Sequence, residues 1–389
     1  MEIMTSAKKS GGRLRAVICS QSNFATDYRI EKMRQTLTDC GFDVSLLGRA
    51  HPREERVGGA AVHYMRLLFW RGPLFYAELN LRLAMRLLAG GADFIVSIDL
   101  DTLAGCMIAS RLRSSRLMFD SHELFPEVPE IAGKPLVKKV WQAVQDFCVP
   151  RLRPTDVAVT VCQSIADIFY HRYGRRFLVV RNAPLAGRAL PSAEGGPSAR
   201  PFTILYQGAV NVGRGVEEII GALPSLPLCH FTVVGDGDVL PGAKALARAL
   251  GVEDRVSFVG RVPFERLPPF MAGADIGVVI MKDLSLNQRY ALPNRLFDFI
   301  QAELPIIANR LPEMEKIVDG EDVGMCVDEV SAESVAKAIE SVMSRPDDVA
   351  RWRRNMRMLA PRLTWQNEVS RVQECAGGSL VTLLKENFE

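Results

Sequence analysis

Short, largely apolar runs alternate with stretches of helical period along this chain of 389 residues, and the pattern is laid down twice. In the first half the runs are Leu14–Cys19, Asp43–Leu47, Phe94–Ile98, Leu117–Phe119, Val157–Val161 and Leu178–Arg181. Segments this short and this apolar read as strands buried on both faces, which calls for a parallel sheet with helices on either side. Arg29–Cys40, Leu103–Leu112, Pro135–Val149 and Ile165–Tyr173 supply the helical spacing between them. The alternation stops over residues 184–201, a stretch with four prolines and no apolar period, which reads as a linker. It restarts with strands Phe202–Tyr206, Phe231–Val234, Val256–Val259, Ile276–Ile280, Ile306–Ala308 and Gly324–Val327. Helices Val216–Leu223, Gly242–Leu250, Phe264–Ala272, Asn294–Glu303 and Ala332–Met343 are expected between them. The fold class expected is α/β, as two doubly wound Rossmann-like domains over residues 1–185 and 186–364. Residues 365–389 are expected to form a helix that packs back on the first domain. Two such domains face each other across a cleft, and ligands favour the carboxyl ends of their strands.

Composition narrows the function. Hydrophobic content of 48% and charged content of 24% suit a globular protein. No run reaches the roughly 18 uncharged apolar residues that span a bilayer. Met1 to Gly12 lacks the apolar centre of a signal peptide, so a cytoplasmic location is expected. Eight scattered cysteines with no Cys-x-x-Cys pair read as reduced thiols, and five histidines make a His-rich metal site unexpected. Residues 1–190 hold 27 Lys and Arg against 18 Asp and Glu, an excess of nine, while the remainder holds 21 against 27. The basic half suggests an anionic partner or a solvated face; no nucleic-acid motif accompanies it. Tyr64 to Ala89 mixes Trp70 and other aromatics with Arg66, Arg71, Arg82 and Arg86. It reads either as a segment lying shallowly in an anionic membrane surface or as a core helix with a solvated arginine face.

Two segments of the second half look built for a phosphate. Tyr206-Gln-Gly-Ala-Val-Asn-Val-Gly-Arg-Gly215 runs from a strand into a glycine-rich turn before a helix. Glycines there let backbone N–H groups approach phosphate oxygens, and Arg214 adds a charge. Gly208 and Gly215 bound this turn, whose spacing is that of neither a P-loop nor Gly-x-Gly-x-x-Gly. In Ser285-Leu-Asn-Gln-Arg-Tyr-Ala-Leu-Pro-Asn-Arg-Leu-Phe-Asp-Phe-Ile300, Asn294 suits an N-cap after Pro293. The N–H groups of Asn294, Arg295 and Leu296 would then face an anion, and Asp298 would accept from a ribose diol. Gly235 follows another strand, and Arg261 and Val262 follow a third, where backbone could meet a nucleobase.

In the first half, Phe119-Asp-Ser-His-Glu-Leu-Phe-Pro-Glu127 sets Asp120, His122 and Glu123 at a strand's carboxyl end. Ionisable groups there are costly to bury without purpose, and His122 would donate to a sugar hydroxyl or a developing charge. Ser97-Ile-Asp-Leu-Asp-Thr102 places Asp99 and Asp101 similarly, as helix caps or cleft lining.

In order and spacing these segments resemble the large family of retaining, GT-B-fold glycosyltransferases (group 1), from about Asp27 to Trp365. Asp99-Leu-Asp-Thr-Leu103, Asp120-Ser-His-Glu123 and Val180-Arg-Asn-Ala-Pro184 look like family landmarks. Gly213-Arg-Gly215 is similar to the step that contacts the donor diphosphate, and Ala291-Leu-Pro-Asn-Arg-Leu-Phe-Asp-Phe299 to the "LPNKLFEY" donor-site helix. The family's Gly-Arg-Leu is Gly208-Ala-Val here, its Glu-x7-Glu ends in Asp298, and Tyr290 stands where the first Glu falls. The resemblance implies a nucleotide-sugar donor on the second domain and a saccharide or polyprenyl-linked acceptor on the first. It also implies His122 beside the transferred sugar, retained configuration, and neither cofactor nor metal. An epimerase or phosphorylase on the same fold, or a non-catalytic scaffold, remains the alternative.

Overall fold

The computed structural model describes residues 13–50, 58–59, 61–187, 200–371, 373 and 379–386. Among them, β1 (Arg15–Ser20), β2 (Asp43–Arg49), β3 (Val62–Met65), β4 (Phe94–Ile98), β5 (Arg116–Ser121), β6 (Val157–Thr160) and β7 (Leu178–Val179) form one sheet in the order β3-β2-β1-β4-β5-β6-β7. A second sheet joins β8 (Phe202–Gln207), β9 (Cys229–Val234), β10 (Val256–Gly260), β11 (Ile276–Val279), β12 (Ile306–Asn309) and β13 (Gly324–Val327) in the order β10-β9-β8-β11-β12-β13. The pairings of the central strands are parallel: Ile18 lies opposite Leu46 and Val96, and Ile204 opposite Phe231 and Ile276. This is the two-domain GT-B arrangement.

Alternation along each strand feeds two apolar layers per sheet. Ile18 and Val96 pack with Ile30 and Met33 of helix Tyr28–Asp39, while Cys19 and Ile95 face Leu83 and Leu103 from helices Gly72–Gly90 and Leu100–Arg113. In the second sheet, Tyr206 and Val278 face one layer, and Leu205 and Val279 the other. Strand order reverses at β1/β4 and at β8/β11, so each sheet opens a crevice at those carboxyl ends.

Several elements depart from the sequence reading. The helix expected over Phe264–Ala272 is a 3-10 turn, Phe264–Arg266, then a short helix, Pro268–Ala272, because Pro268 and Pro269 lack N–H groups to continue one ladder. Strand β3 and helices Pro312–Val318 and Pro346–Leu359 are absent from the sequence reading, although the last buries Trp352, Met356 and Leu359 at i, i+4 and i+7; the stretch Tyr64 to Ala89 contributes helix Gly72–Gly90, which buries Phe75, Leu79, Leu83 and Leu87 at four-residue spacing. Among the described residues of 365–389 there are two helices, Trp365–Ser370 and Leu380–Glu386, instead of one. Both pack on the first sheet's outer layer, through Trp365, Val369, Leu380 and Leu384. The Trp365 indole donates to Thr36 Oγ1 at 2.8 Å, and Arg181 pairs with Glu368. Most of the linker, residues 188–199, lies outside the described residues, as do Met1 to Gly12 and Cys375.

Candidate functional site

A cleft of about 510 Å³ separates the two domains, walled by strand ends of both sheets. On the second domain, β8 runs into Gly208, which has φ 122°. The turn after β9 comes so near that a Cβ on Gly235 would sit 1.8 Å from the Gly208 carbonyl oxygen, so only glycine fits there. Gly235 and Gly215, both expected as donor contacts, are not among the residues lining the cleft; a Cβ on Gly215 would meet Ile280 at 2.6 Å. Tyr206 closes the turn by donating its hydroxyl to Ala209 O at 2.6 Å.

Two arginines line this wall. Arg214 reaches Met281 Sδ at 3.7 Å and forms no ion pair among the described residues. Arg295 lies over the Tyr206 ring at 4.5 Å and donates Nη1 to Gln207 O at 3.2 Å. Its Nε and Nη2 are buried without partners among the described residues. Burial lowers its pKa, yet a guanidinium stays charged, so the wall holds a desolvated cation with donors to spare. Each buried donor left unmade costs about 1–3 kcal/mol, which an anionic ligand would recover. Asp298 is buried nearby and accepts from Gln207 Nε2 at 2.8 Å.

The helix behind this wall, Asn294–Gln301, is arranged differently from the expectation. Pro293 occupies the N-cap, and Asn294, already helical, accepts from Asn182 Nδ2 at 2.9 Å across the cleft. The Leu296 amide donates to Pro293 O at 3.0 Å, so it is not available to an anion. The Leu296 side chain is in the core. Arg261 and Val262 do not line the cleft; Val262 packs against the second domain's core.

On the first domain, β4 ends in Asp99, whose φ of 56° and ψ of 174° belong to a region that glycine normally occupies. Such a conformation costs about 1–3 kcal/mol and persists only where its surroundings hold it. Here the Asp99 carboxylate makes no cap bond and instead accepts the His122 backbone N–H at 2.8 Å. His122 follows β5 and lines the cleft. Its Nε2 lies 3.2 Å from Asp120 Oδ2 and its Nδ1 3.8 Å from Asp99 Oδ2. Burial works against the imidazolium, but the charges of Asp99 and Asp120 prevail and push its pKa up to about 9. At neutral pH the ring is therefore a cation and a donor, not a base.

Asp120 itself is fully buried behind the histidine. Burial opposes its charge, yet Arg29 and His122 hold its pKa well below the carboxylate range. Arg29, from helix Tyr28–Asp39, meets it with two bonds, Nε at 3.0 Å and Nη2 at 2.7 Å, and gives Nη1 to Val180 O at 2.8 Å. Burial raises the pKa of Asp99; in Asp101, 1% exposed, burial and the Asp99 charge raise it further, favouring the neutral acid. Asp101 does not line the cleft, whereas Glu123 does. Tyr290 packs on the first domain's core, and its carbonyl accepts from Cys162 Sγ at 3.3 Å.

The walls touch at more points: Leu124 N donates to Asn287 Oδ1 at 2.9 Å, Ser164 to Glu313, and Tyr28 meets Phe264 with ring centres 5.3 Å apart. A larger cavity, about 810 Å³, lies along β1, β2 and β3 and contains none of these groups.

Residues 201–345 match the family model described as glycosyl transferases group 1. That stretch is therefore similar to the group 1 glycosyl transferases. The chain is 25% identical over 159 residues to an alpha-D-kanosaminyltransferase of Streptomyces kanamyceticus, covering 38% of each. It is 27% identical over 187 residues to a lipopolysaccharide core biosynthesis glycosyltransferase of Rhizobium meliloti, covering 47% of this chain and 52% of that one. The match thus spans about half or less of these relatives' length. Solved structures agree over nearly the whole chain. The Anabaena protein HepE in complex with UDP-glucose superposes with a TM-score of 0.70 at 15% identity, covering 97% of this chain and 98% of that one. Sucrose-phosphate synthase from Thermosynechococcus elongatus gives 0.69 at 18%, covering 92% and 96%. The cleft-facing turn at Gly208 and the helix at Asn294 both fall inside the matched residues.

Sequence reasoning passed over Arg29, Gln207 and Gln288, all in the cleft wall. Arg29 falls on the arginine of the Asp-x-Arg pattern that the run Asp27–Gly41 resembles, but it carried no site role because it sits among other helix charges. It also passed over the outer face of helix Pro135–Cys148, where Leu136, Val140, Ala143 and Phe147 form an exposed apolar stripe beside Lys134 and Lys139. That stripe was legible at i, i+4, i+7 and i+11 spacing.

Proposed function

We propose that the protein transfers a sugar from a nucleoside diphosphate to a saccharide or lipid-linked acceptor, with retention, in bacterial surface polysaccharide synthesis. The observation that carries this is the pair of cleft arginines, Arg214 and Arg295, without carboxylate partners among the described residues, beside the Gly208 turn and opposite His122. A departing diphosphate develops negative charge where these cations stand preorganised. Asp298 is the ribose acceptor, one turn into the helix. The His122 imidazolium, anchored through Asp120 to Arg29, donates to the transferred sugar. The acceptor hydroxyl enters from the basic first domain, and closure of the domains keeps water from hydrolysing the donor. HepE bound to UDP-glucose supports a nucleotide-sugar donor, and the lipopolysaccharide relative supports the acceptor class.

A peripheral membrane position belongs to the same reading. No helix among the described residues is long and apolar enough to cross a membrane. Leu68, Trp70, Leu74, Leu81 and Met85 are exposed around helix Gly72–Gly90, together with Arg66, Arg71 and Arg86. Their mixture suits an anionic headgroup layer. Thermal-shift measurements with UDP, GDP, ADP and dTDP test the core of the proposal. One of the four should raise the melting temperature, and donor incubated without acceptor should stay intact. Rapid isomerisation of the donor alone would point to an epimerase instead.

A further inference from the structure

The carboxamide of Gln288 stands out on the second domain's wall. Gln288 is 2% exposed, lines the cleft, and has no hydrogen-bond partner for Nε2 or Oε1 among the described residues. A buried primary amide offers two donors and an acceptor, and such groups are normally all engaged. Its place is defined from two sides. A Cβ built on Gly213 would lie 3.1 Å from Gln288 Nε2, so the amide lies against the glycine turn that carries Arg214. The neighbouring Asn287 accepts the Leu124 N–H, two residues beyond His122. Gln288 therefore lies between the diphosphate turn and the His122 segment. Asp298, the proposed ribose acceptor, lines the same cleft from the next helix of this domain.

We infer that Gln288 reads the donor's sugar: its amide N–H groups donate to one ring hydroxyl while Oε1 accepts from a neighbouring one. This rests on the proposed donor site. A hydroxyl pair presents one acceptor and one donor at that spacing, which matches both ends of a carboxamide. Sites built to hydrogen-bond hydroxyls discriminate sharply, because a wrong epimer leaves the buried amide unmade. The amide is also neutral, so two uncharged hydroxyls satisfy it and the class expected is a neutral hexose. Tyr290 turns its carbonyl to Cys162 and packs on the first domain, leaving the hydroxyl-reading role to Gln288.

The test uses the full chain and Gln288→Met, which keeps length and removes both polar ends. Calorimetry would measure UDP, GDP, ADP and dTDP, then the glucose, galactose and mannose conjugates of whichever nucleotide binds. The parent should prefer one conjugate over its epimers by tenfold or more. Gln288→Met should bind the bare nucleoside diphosphate within threefold of the parent, while its preference among epimers falls to threefold or less. A melting temperature at or above that of the parent would show that the fold is intact. If the bare nucleotide binds both proteins equally and the epimer preference survives in the variant, Gln288 does not read the sugar, though the donor site stands. If no nucleoside diphosphate binds the parent, the donor site falls and this inference with it. Gln288→Glu provides a second check: it keeps an acceptor but loses the N–H groups, and should also lose the preference.

Discussion

His122 should titrate far from an ordinary histidine, and the consequence can be worked through from its two carboxylate neighbours. Its pKa is pushed up to about 9, against roughly 6.5 for an unperturbed imidazole. The folded state therefore binds this proton more tightly than the unfolded chain. The stabilisation is fully present below about pH 6.5 and is lost as pH rises through about 9. A displacement of this size corresponds to about 3 kcal/mol, at about 1.4 kcal/mol per unit. Carbon-13 labelling of the five histidines would follow each ring by NMR, with His122→Gln assigning the resonance. The His122 signal should hold its protonated shift past pH 8. Asp99→Asn, which removes one of the two charges and keeps an acceptor for the His122 amide, should return the midpoint toward the ordinary value. In the same pH span, the parent should lose stability that His122→Gln does not lose. A midpoint near 6.5 in the parent would refute the reasoning, and His122 would then be available as a base.

Further outcomes follow from the two walls. Arg214→Ala should lower kcat/KM at least a hundredfold, since a charged bond to the leaving group contributes about 2–4 kcal/mol in the transition state; activity within fivefold of the parent would remove Arg214 from that role. Asp298→Ala should weaken nucleoside-diphosphate binding by about 1.5–3 kcal/mol and erase the preference for ribose over deoxyribose; because Gln207 loses its acceptor as well, a melting curve should accompany the calorimetry. Arg29→Met should destabilise the first domain by about 3–5 kcal/mol by stranding a buried Asp120 carboxylate, read as a fall in urea midpoint. The protein should co-sediment with anionic vesicles at low salt and release at high salt, each basic residue contributing about 1 kcal/mol at the surface. Replacing Arg66, Arg71, Arg82 and Arg86 with Gln should abolish that binding and leave transfer to a soluble acceptor unchanged.

The twofold α/β alternation, the glycine turn at Gly208 to Gly215 and the helix at Asn294 were legible in the sequence, because strand burial, helical period and turn chemistry are written in neighbouring residues. Element limits at prolines were less so: Pro268 and Pro269 split one expected helix, and Pro293 took the cap expected of Asn294. What only the tertiary structure decided is which groups meet. Arg29 and Asp120 are 91 positions apart, and nothing near either marks the other. The strained backbone of Asp99 exists because β4 and β5 end side by side and His122 needs its carboxylate. Trp365 and Thr36, 329 positions apart, likewise meet only where the chain returns to the first sheet's outer layer. Local pattern sets which elements form; the partner of a buried charge or an unmade amide is set by packing between elements distant in the chain, where a single desolvated contact outweighs any local preference.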